Sequence, residues 1–529
     1  MPLTPNAQQI PVKIVGSSQF GKYPIVSDER TYNMFISDEW LINFAGYEES
    51  VEIIRDAAEG RGLYVSVRGG FMLAVINNRV IRINKNLGWR ELAFTLDTDV
   101  GEVFIDENLS SQICIVDGLH AYIYNYTTGS IGKAIFDPVD PPFLPNYVTY
   151  QNTYFIFGNG RTNTEGSEWF VYESSFNPTS LADPLKLKNV TTLTLQTKPD
   201  FAKAAIRIPS FGNNLLVLGT TVGEIWQNIG GAQVYQRNSS INIDYGVASV
   251  STIAASDKMV AWLGINEKST PAIMVMAGGQ AERISTDGID NLLQSVAHPE
   301  ESTAFFVRQD GHVFYVLSFT NKLDDFTIMY DFNTKMFFDL TDWDFTHHPA
   351  RQVVYFENKA YFASLKQGSI MRIGEDLPTM STDVTNIYQI PQIRKTNTYR
   401  LPGSERFIGN VFSFTLESGV EPNVNFEFDC EGYIIGEVSE GIMYSEDDHP
   451  LVVEGGFCHV YRPRIDLTLS KNGGETYSNV VSYEMHRTGH YKSQPRFNKL
   501  GEANQLTFQL RFWGFGRKAI NDGVVEVYQ

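Results

Sequence analysis

The side chains of this sequence that could do chemistry are an arginine in the segment AIRIPS, residues 205–210, and a pair of adjacent histidines. Arg207 carries a planar guanidinium, which can bind a carboxylate through two hydrogen bonds. His347 and His348 lie near several aspartates, a composition that could suggest a metal ion. Because neighbouring residues on a strand point to opposite faces, they rarely bind one ion together. We therefore expect a solvated loop at the histidines.

Other catalytic and cofactor-binding motifs are missing from the sequence. It contains no G-x-S-x-G elbow for acyl transfer and no G-x-x-x-x-G-K-[ST] phosphate loop. The acidic runs at residues 324–325 and 446–448 lack the regular spacing of a calcium loop. Cys114, Cys430 and Cys458 are far apart and form no zinc-ligand pattern. We therefore predict a protein without catalytic residues, cofactor or metal.

The segment SKNGGETY, residues 470–477, resembles the S-x-D-x-G-x-T-W hairpin of sialidases and other β-propellers. Arg207 is similarly placed to the arginine of the sialidase Arg-Ile-Pro motif. Sialidases carry several such hairpins, whereas this chain has one, with Asn472 for Asp and Tyr477 for Trp. We interpret Ser470, Asn472, Gly474 and Tyr477 as a structural hairpin. A sialidase-like or glycan-binding propeller acting on a host receptor remains the alternative.

Charge is unevenly distributed along the chain. The chain has 42 Lys and Arg residues and 61 Asp and Glu residues, so its formal net charge is −19. This negative charge argues against sequence-specific nucleic-acid binding. The stretch 486–518 is the exception, with one acid, Glu502, among seven basic residues. We predict that these residues form either a solvated face or a docking surface for an acidic partner. They are Arg487, Lys492, Arg496, Lys499, Arg511, Arg517 and Lys518.

Strand patterns dominate residues 61–390, where β-branched and aromatic runs are separated by short turns rich in Gly, Asn and Asp. The hairpins IYNYTTG at residues 123–129 and MYDFNTK at 329–335 form a weak repeat. At the 40–50 residues typical of a blade, the span has room for about seven. We therefore predict an all-β protein with a β-propeller at 61–390. Helices are predicted only at Tyr47–Glu59 and at Asp287–Val296, the second with Asp287 as N-cap.

The two ends of the chain differ in sequence pattern from residues 61–390. Residues 1–60 contain little strand pattern, and we expect an N-terminal arm or clasp. After residue 390 longer alternating strands follow a proline-punctuated segment, which predicts a β-sandwich-like C-terminal domain at 391–529. The sequence shows neither a signal peptide nor an uninterrupted apolar run of about 18 residues, so we expect a soluble protein without a membrane span.

Three regions, taken together, resemble the packaged-DNA stabilisation proteins, or tail accessory factors, of short-tailed bacteriophages. The central region matches the family pattern in order at Leu218-Gly219, Glu224-Ile-Trp226, Gly246, Trp262 and Met276 through Ile289. The segment from SKNGGETY to LRF at residue 512 resembles its C-terminal pattern, and Glu29–Phe35 its start. The chain departs from the family at Glu502-Ala-Asn504, where an arginine is usual.

The resemblance implies a structural hub or nozzle protein of the phage tail. Members form a homo-hexameric ring below the portal and its adaptor, extend the DNA channel, retain the packaged genome and hold a distal needle or plug. We therefore expect partners in the portal-adaptor (head-to-tail connector) protein and in distal needle, fibre or spike proteins, with double-stranded DNA passing through without sequence-specific binding. The protein would be made in the host cytoplasm and reside in the virion.

Overall fold

The computed structural model describes most of the chain, and the residues divide into two compact units. One unit comprises residues 17–34 and 44–390, and the other comprises 1–16, 35–43 and 391–529. The predicted N-terminal arm, residues 1–60, is therefore shared between the units. The described residues are 7–20, 28–55, 58–137, 143–174, 185–208, 211–212, 214–231, 233–256, 258–383, 387–420, 432–433, 452–453, 463–485, 492–514 and 516–528.

The larger unit consists of successive antiparallel sheets, each built on four strands, which we number as blades 1 to 7. The strands of blades 1 to 3 are Gly60–Ser66, Phe71–Ile76, Arg79–Ile83 and Trp89–Thr95; Phe104–Glu107, Gln112–Val116, Ala121–Asn125 and Ser130–Lys133; and Pro145–Gln151, Tyr154–Asn159, Glu168–Ser174 and Lys186–Thr194. Those of blades 4 and 5 are Ala204–Arg207, Asn214–Leu218, Gly223–Asn228 and Tyr235–Ile243; and Ala254–Ala255, Val260–Ile265, Pro271–Met276 and Ala281–Arg283.

Blades 6 and 7 complete the series. Blade 6 contains Ser302–Gln309, His312–Phe319, Phe326–Asp331 and Met336–Leu340, and blade 7 contains Ala350–Phe356, Lys359–Ser364, Gly368–Gly374 and Gly46–Ile54. The first strand of each blade is here called the inner strand. In six of the seven neighbouring pairs, blade 7 with blade 1 included, the inner strands contact each other. The all-β class and the propeller of about seven blades are confirmed.

Blade 7 is closed by a strand from the N-terminal part of the chain. Gly46–Ile54 pairs antiparallel with Gly368–Gly374, so residues on either side of the propeller's sequence share one sheet. The predicted helix at Tyr47–Glu59 is therefore wrong. Its glutamates and alanines favour a helix locally, but tertiary pairing with blade 7 gives a strand.

Short additional strands lie at the outer edges of three blades. Ile135–Asp137 runs parallel to the last strand of blade 3, and Thr379–Ser381, paired with Ile387–Gln389, runs parallel to Gly46–Ile54. Asp28–Tyr32, paired with Gln19–Phe20, extends blade 6. These strands cover backbone groups that an edge would otherwise expose.

Helical structure in the described residues is limited to short segments. The predicted second helix is confirmed as Asp287–Gln294, but its N-cap is Thr286, whose hydroxyl accepts a hydrogen bond from the Ile289 amide. Short 3₁₀ helices lie at Thr164–Ser167, Val250–Thr252, Pro299–Glu301 and Pro402–Ser404. No helix in the described part of the chain is long and apolar enough to cross a membrane.

The hydrophobic core of the propeller lies in layers between adjacent blades. The layer between blades 3 and 4, for example, contains Trp169 and Trp226, whose rings meet edge to face at 5.3 Å. Glu224 is fully buried beside them and accepts hydrogen bonds from the indole of Trp226 at 3.0 Å and from the Gln196 amide at 2.8 Å. This carboxylate therefore ties the segment that enters blade 4 to the blade itself.

The second unit packs two sheets face to face. One sheet contains Met34–Ser37, Trp40–Asn43, Ala7–Val12, Arg517–Tyr528, Phe407–Val420, Lys492–Ser493 and Arg496–Ala503; the other contains Gln392–Lys395, Tyr399–Arg400, Gln505–Phe512, Arg464–Ser470 and Val481–Glu484. The rings of Phe412 and Phe508, one from each sheet, stack at 4.3 Å. This is the sandwich-like packing that the alternating strands predicted. Gly432–Tyr433 and Val452–Val453 form a separate two-stranded ladder.

Candidate functional site

The propeller encloses a central cavity of about 520 Å³. It is lined by the inner strands and the residues just before them, among them Glu102, Tyr147, Phe305, Gln352 and Tyr355. Most of the lining residues are aromatic or aliphatic, but more of the surface that faces the cavity is polar than apolar. The inner strands run in the same direction, so the cavity has a leading end, where they begin, and a trailing end, where they finish.

The leading end contains a buried ionic cluster. Arg351 hydrogen-bonds to Glu59 and lies 3.8 Å from the carboxylate of Glu102. Gln352 donates a side-chain hydrogen bond to Glu102 and accepts one from the Leu63 amide at 3.0 Å. Burial raises the pKa of Glu102 to about 7, against the opposing attraction of Arg351. The cluster joins blade 7, blade 1 and the segment before blade 2 at the channel.

The trailing end holds a second carboxyl group with a raised pKa. Burial raises the pKa of Asp106, although its carboxylate accepts a hydrogen bond from the Tyr150 amide at 2.6 Å. Arg207 reaches the Tyr150 carbonyl at 3.4 Å from the neighbouring blade. Burial also raises the pKa of Tyr64 on blade 1. The hydrogen bonds of Asp106 and Arg207 to Tyr150 link the inner strands of blades 2, 3 and 4.

The two faces of the propeller differ in charge. The connections at the leading face join the second strand to the third and one blade to the next. Their exposed acids, in the described residues, are Asp97, Asp99, Glu165, Asp244, Glu267, Asp287, Glu300, Glu301 and Asp344, against the bases Arg55, Lys268, Lys322 and Lys366. At the trailing face the exposed acids Asp310, Glu357, Glu375 and Asp376 are balanced by Arg68, Lys85, Lys258 and Lys335. The leading face is therefore the acidic one.

The predicted structural hairpin forms a tight turn after Arg464–Ser470. The Ser470 hydroxyl accepts a hydrogen bond from the Gly474 amide at 2.8 Å, and the Asn472 side chain accepts one from the Thr476 amide at 3.0 Å. Gly474 has φ of 100°, which only glycine adopts cheaply. The Lys395 ammonium lies 5.8 Å from the centre of the half-buried Tyr477 ring. All four residues thus have contacts that shape or cover the turn.

The predicted docking residues are split between exposed and internal positions. Lys492, Arg496, Lys499 and Arg517 are exposed on the first sheet of the second unit. Arg511 is half-buried, with its guanidinium 3.8 Å from the centre of the Trp513 ring. Lys518 is buried and donates hydrogen bonds to the carbonyls of Gly514 and Gly516, at 2.8 and 3.0 Å. Lys518 therefore supports its own turn, and Arg487 lies outside the described residues.

The prediction of a solvated loop at the adjacent histidines is wrong, because both side chains are largely buried in the segment between blades 6 and 7, each with its own contacts. His347 hydrogen-bonds to Asp325 at 2.8 Å, and its pKa is lowered mainly by burial. His348 is fully buried against aromatic rings, and burial lowers its pKa to about 3. Within the described residues no three His, Cys, Asp or Glu side chains form a group that could hold a metal ion.

The sequence did not predict the ionic cluster at the leading end of the channel. Glu59, Glu102 and Arg351 come from segments separated by up to 292 residues, and none belongs to a recognisable motif. Only the order of the blades around the ring brings them together. A closed ring predicts that residues preceding the inner strands will meet, but not which of them do.

Comparison with known proteins gives one informative match. The family model Phage_stabilise, described as bacteriophage P22 Gp10, beta-propeller, matches residues 8–376. No curated protein sequence matches the chain. Among solved structures, a chain in "Crystal Structure of Mitotic Checkpoint Complex" is 12% identical, with a TM-score of 0.39, covering 62% of this chain and 93% of that chain. A likeness this distant says nothing about function.

Proposed function

The chain belongs to the phage-stabilisation family of bacteriophage structural proteins, described by P22 Gp10 and its β-propeller, and on that basis we propose that it is a hub or nozzle component of a short phage tail. The observation that carries the proposal is the family match, which begins at residue 8 and includes the strand that closes blade 7. The match therefore concerns the complete propeller of this chain and not a single blade.

The assembly we propose is a hexameric ring that continues the DNA channel below the portal and its adaptor. Each copy carries a formal charge of −19, and exposed acids outnumber exposed bases in the connections at the leading face of the propeller. An acidic lumen repels the DNA backbone, so the genome could slide past without being held by the wall. In this function the protein retains packaged DNA until the distal tail parts move, and then gates its ejection.

The proposed contact with a neighbouring tail protein lies on the first sheet of the second unit. Lys492, Arg496, Lys499 and Arg517 are exposed there, and an acidic surface of the adaptor or of a distal needle, fibre or spike would complement them. Lys518 is not part of this surface, because its side chain is buried and its ammonium donates hydrogen bonds to two backbone carbonyls. Synthesis in the host cytoplasm and residence in the virion follow from the same proposal.

The experiment that tests this function is electron microscopy of purified tails, combined with native mass spectrometry of the protein released from them. We expect a six-fold ring between the head-proximal adaptor and the distal parts, and a species of six chains. A monomeric or trimeric receptor-binding protein at the tail periphery would contradict the proposal. Sialoside hydrolysis by the pure protein that is lost in Arg207→Ala would instead favour the glycan-degrading alternative.

A further inference from the structure

The trailing mouth of the propeller channel is bordered by three exposed arginines from separate blades. Arg207 ends the inner strand of blade 4, Arg308 is the penultimate residue of the inner strand of blade 6, and Arg68 follows the inner strand of blade 1. None of the three lies within ion-pair distance of a carboxylate in the part of the chain that the structure describes. Among the described first turns, the exposed acids are Asp310 and Glu357, and Glu357 pairs with Lys85 at 2.7 Å, so the arginines outnumber the acids around the opening.

Exposed apolar side chains surround the same opening. Val67 is 85% exposed, Leu109 is 62% exposed and Tyr355 is 47% exposed, all in or beside the first turns of adjacent blades 1, 2 and 7. Arg68 hydrogen-bonds to the Leu109 carbonyl, and the Tyr355 hydroxyl accepts a hydrogen bond from the Arg308 amide at 2.7 Å. These contacts link blade 1 to blade 2 and blade 6 to blade 7, and we call the arginines and apolar tips around the opening the trailing mouth. It opens beside a cavity with aromatic walls.

The chemistry of this surface selects an occupant with carboxylates and bulky apolar side chains. The chain itself contains such a segment at residues 421–454, of which the structure describes only 432–433 and 452–453. In sequence it has ten acids and no lysine or arginine, and its apolar residues include IIG at 434–436 and IMY at 442–444. Its charge is opposite to that of the arginines at the mouth, and its apolar residues suit the exposed tips and the cavity.

In a ring, the segment that occupies the trailing mouth would come from a second copy of the chain. A closed ring requires each subunit to offer two different surfaces, one that receives and one that inserts. The trailing mouth and the segment 421–454 are two such surfaces on one chain, and they are complementary in charge. We propose that in the ring, segment 421–454 of each copy docks on the trailing mouth of the next copy. This inference rests on the proposed hexameric function.

The test is a zero-length cross-linking experiment on rings of the full chain assembled from equal parts of ¹⁴N- and ¹⁵N-labelled protein. A carbodiimide joins a lysine amine to a carboxylate only when the two are in contact. Lys359 is the reporter, because it is exposed and follows the turn next to Tyr355. We expect cross-links between Lys359 and acids of residues 421–454, with mixed isotopes showing that they join two copies.

Two variants in blade 6 form a matched pair for the same experiment. Arg308→Glu reverses a charge at the trailing mouth, and Lys335→Glu makes the same change in an exposed turn farther from the channel. Since like charges now oppose each other, we expect Arg308→Glu to reduce the mixed-isotope cross-links at least about ten-fold. Lys335→Glu should leave them unchanged, and Arg308→Lys should restore most of the yield.

The outcomes separate this inference from the proposed function. If the wild-type protein forms no rings, the proposed function itself fails. If rings form but Lys359 gives only single-isotope cross-links, or none to residues 421–454, the docking between copies is wrong. Equal cross-link yields in Arg308→Glu and Lys335→Glu would also overturn it, even with intact rings.

Discussion

Tyr47 donates a hydrogen bond from its phenolic hydroxyl to the carboxylate of Asp342, 295 residues further along the chain. Tyr47 lies on the strand that completes blade 7, and the same carboxylate accepts a hydrogen bond from Lys366 at 2.6 Å. Burial, followed by the neighbouring Asp342, raises the pKa of Tyr47. The contact therefore fastens the N-terminal closing strand to the segment between blades 6 and 7.

Loss of the Tyr47 hydroxyl should weaken the propeller. Tyr47→Phe leaves a buried carboxylate without one donor, so we expect the free energy of unfolding to fall by about 1–3 kcal/mol. Urea unfolding followed by tryptophan fluorescence measures it, since Trp169, Trp226 and Trp262 are buried in the blades. Tyr245→Phe is the control, and it should have little effect because no hydrogen bond of its hydroxyl is found in the described structure. Equal effects of the two variants would contradict the fastening role.

Gly246, one of the residues that pointed to the family, is a packing position. A Cβ there would lie 2.3 Å from the Thr220 carbonyl carbon and 2.4 Å from the Gly219 oxygen, and backbone cannot move aside cheaply. We expect Gly246→Ala to lower stability by about 1–3 kcal/mol or more. Gly279→Ala, whose Cβ would meet only Phe211 at 3.5 Å, is the matched control. The comparison is made by denaturant unfolding, and a Gly246→Ala protein as stable as the control would refute the close approach.

The buried Glu102 should make stability depend on pH. Its pKa is raised to about 7, whereas in the unfolded chain it titrates near the ordinary value of about 4.3. The folded form thus retains a proton in this interval, so this group's contribution to stability is lost as pH rises from about 4.3 through 7. The loss amounts to about 4 kcal/mol when the shift is converted to free energy.

Glu102→Gln tests this dependence because the amide keeps the shape but cannot ionise. We expect the variant to match the wild type near pH 4.5 and to be more stable at pH 8.5, with the difference growing between these values. Unfolding free energies of both proteins across the pH range measure it. A constant difference at every pH would mean that Glu102 does not retain its proton in the folded protein.

We expect substitutions at the adjacent basic residues Arg517 and Lys518 to affect two different measurements, tail attachment and stability. Lys518→Met removes the donor to two buried carbonyls and should cost about 1–3 kcal/mol of stability. Arg517→Met changes an exposed residue, so we expect a smaller loss of stability than in Lys518→Met, while attachment to the proposed acidic tail partner weakens. Thermal unfolding gives the first readout and co-sedimentation with isolated tails gives the second. If Lys518→Met unfolds like the wild type, its internal role is wrong.

Much of the fold follows from local patterns in the sequence. Turns such as Asn77-Asn78 and Glu357-Asn358 mark the hairpins, and Asn77 and Asn358 have the positive φ that these turns need. The spacing of the hairpins then gives the approximate number of blades. The turn after Ser470 has the same local character, since its hydrogen bonds join residues four positions apart, whereas the contact of Tyr477 with Lys395 is distant in sequence.

The remaining features depend on contacts distant in sequence. Gly46–Ile54 has the composition of a helix and becomes a strand because Gly368–Gly374 offers an edge. The burial of Lys518 depends on a turn whose carbonyls point inward, which no charge pattern reveals. Likewise, the arginines of the trailing mouth lie in three blades and become neighbours of one opening only when the ring closes.

The most direct measurement of the central claim compares phage particles made with and without this protein. Electron microscopy shows the tail, and quantification of nuclease-protected DNA shows how much genome stays in the capsid. We expect particles that lack the protein to have a shortened tail without the ring and to lose their packaged DNA. Particles that lack the protein but keep both a full genome and a complete tail would contradict it.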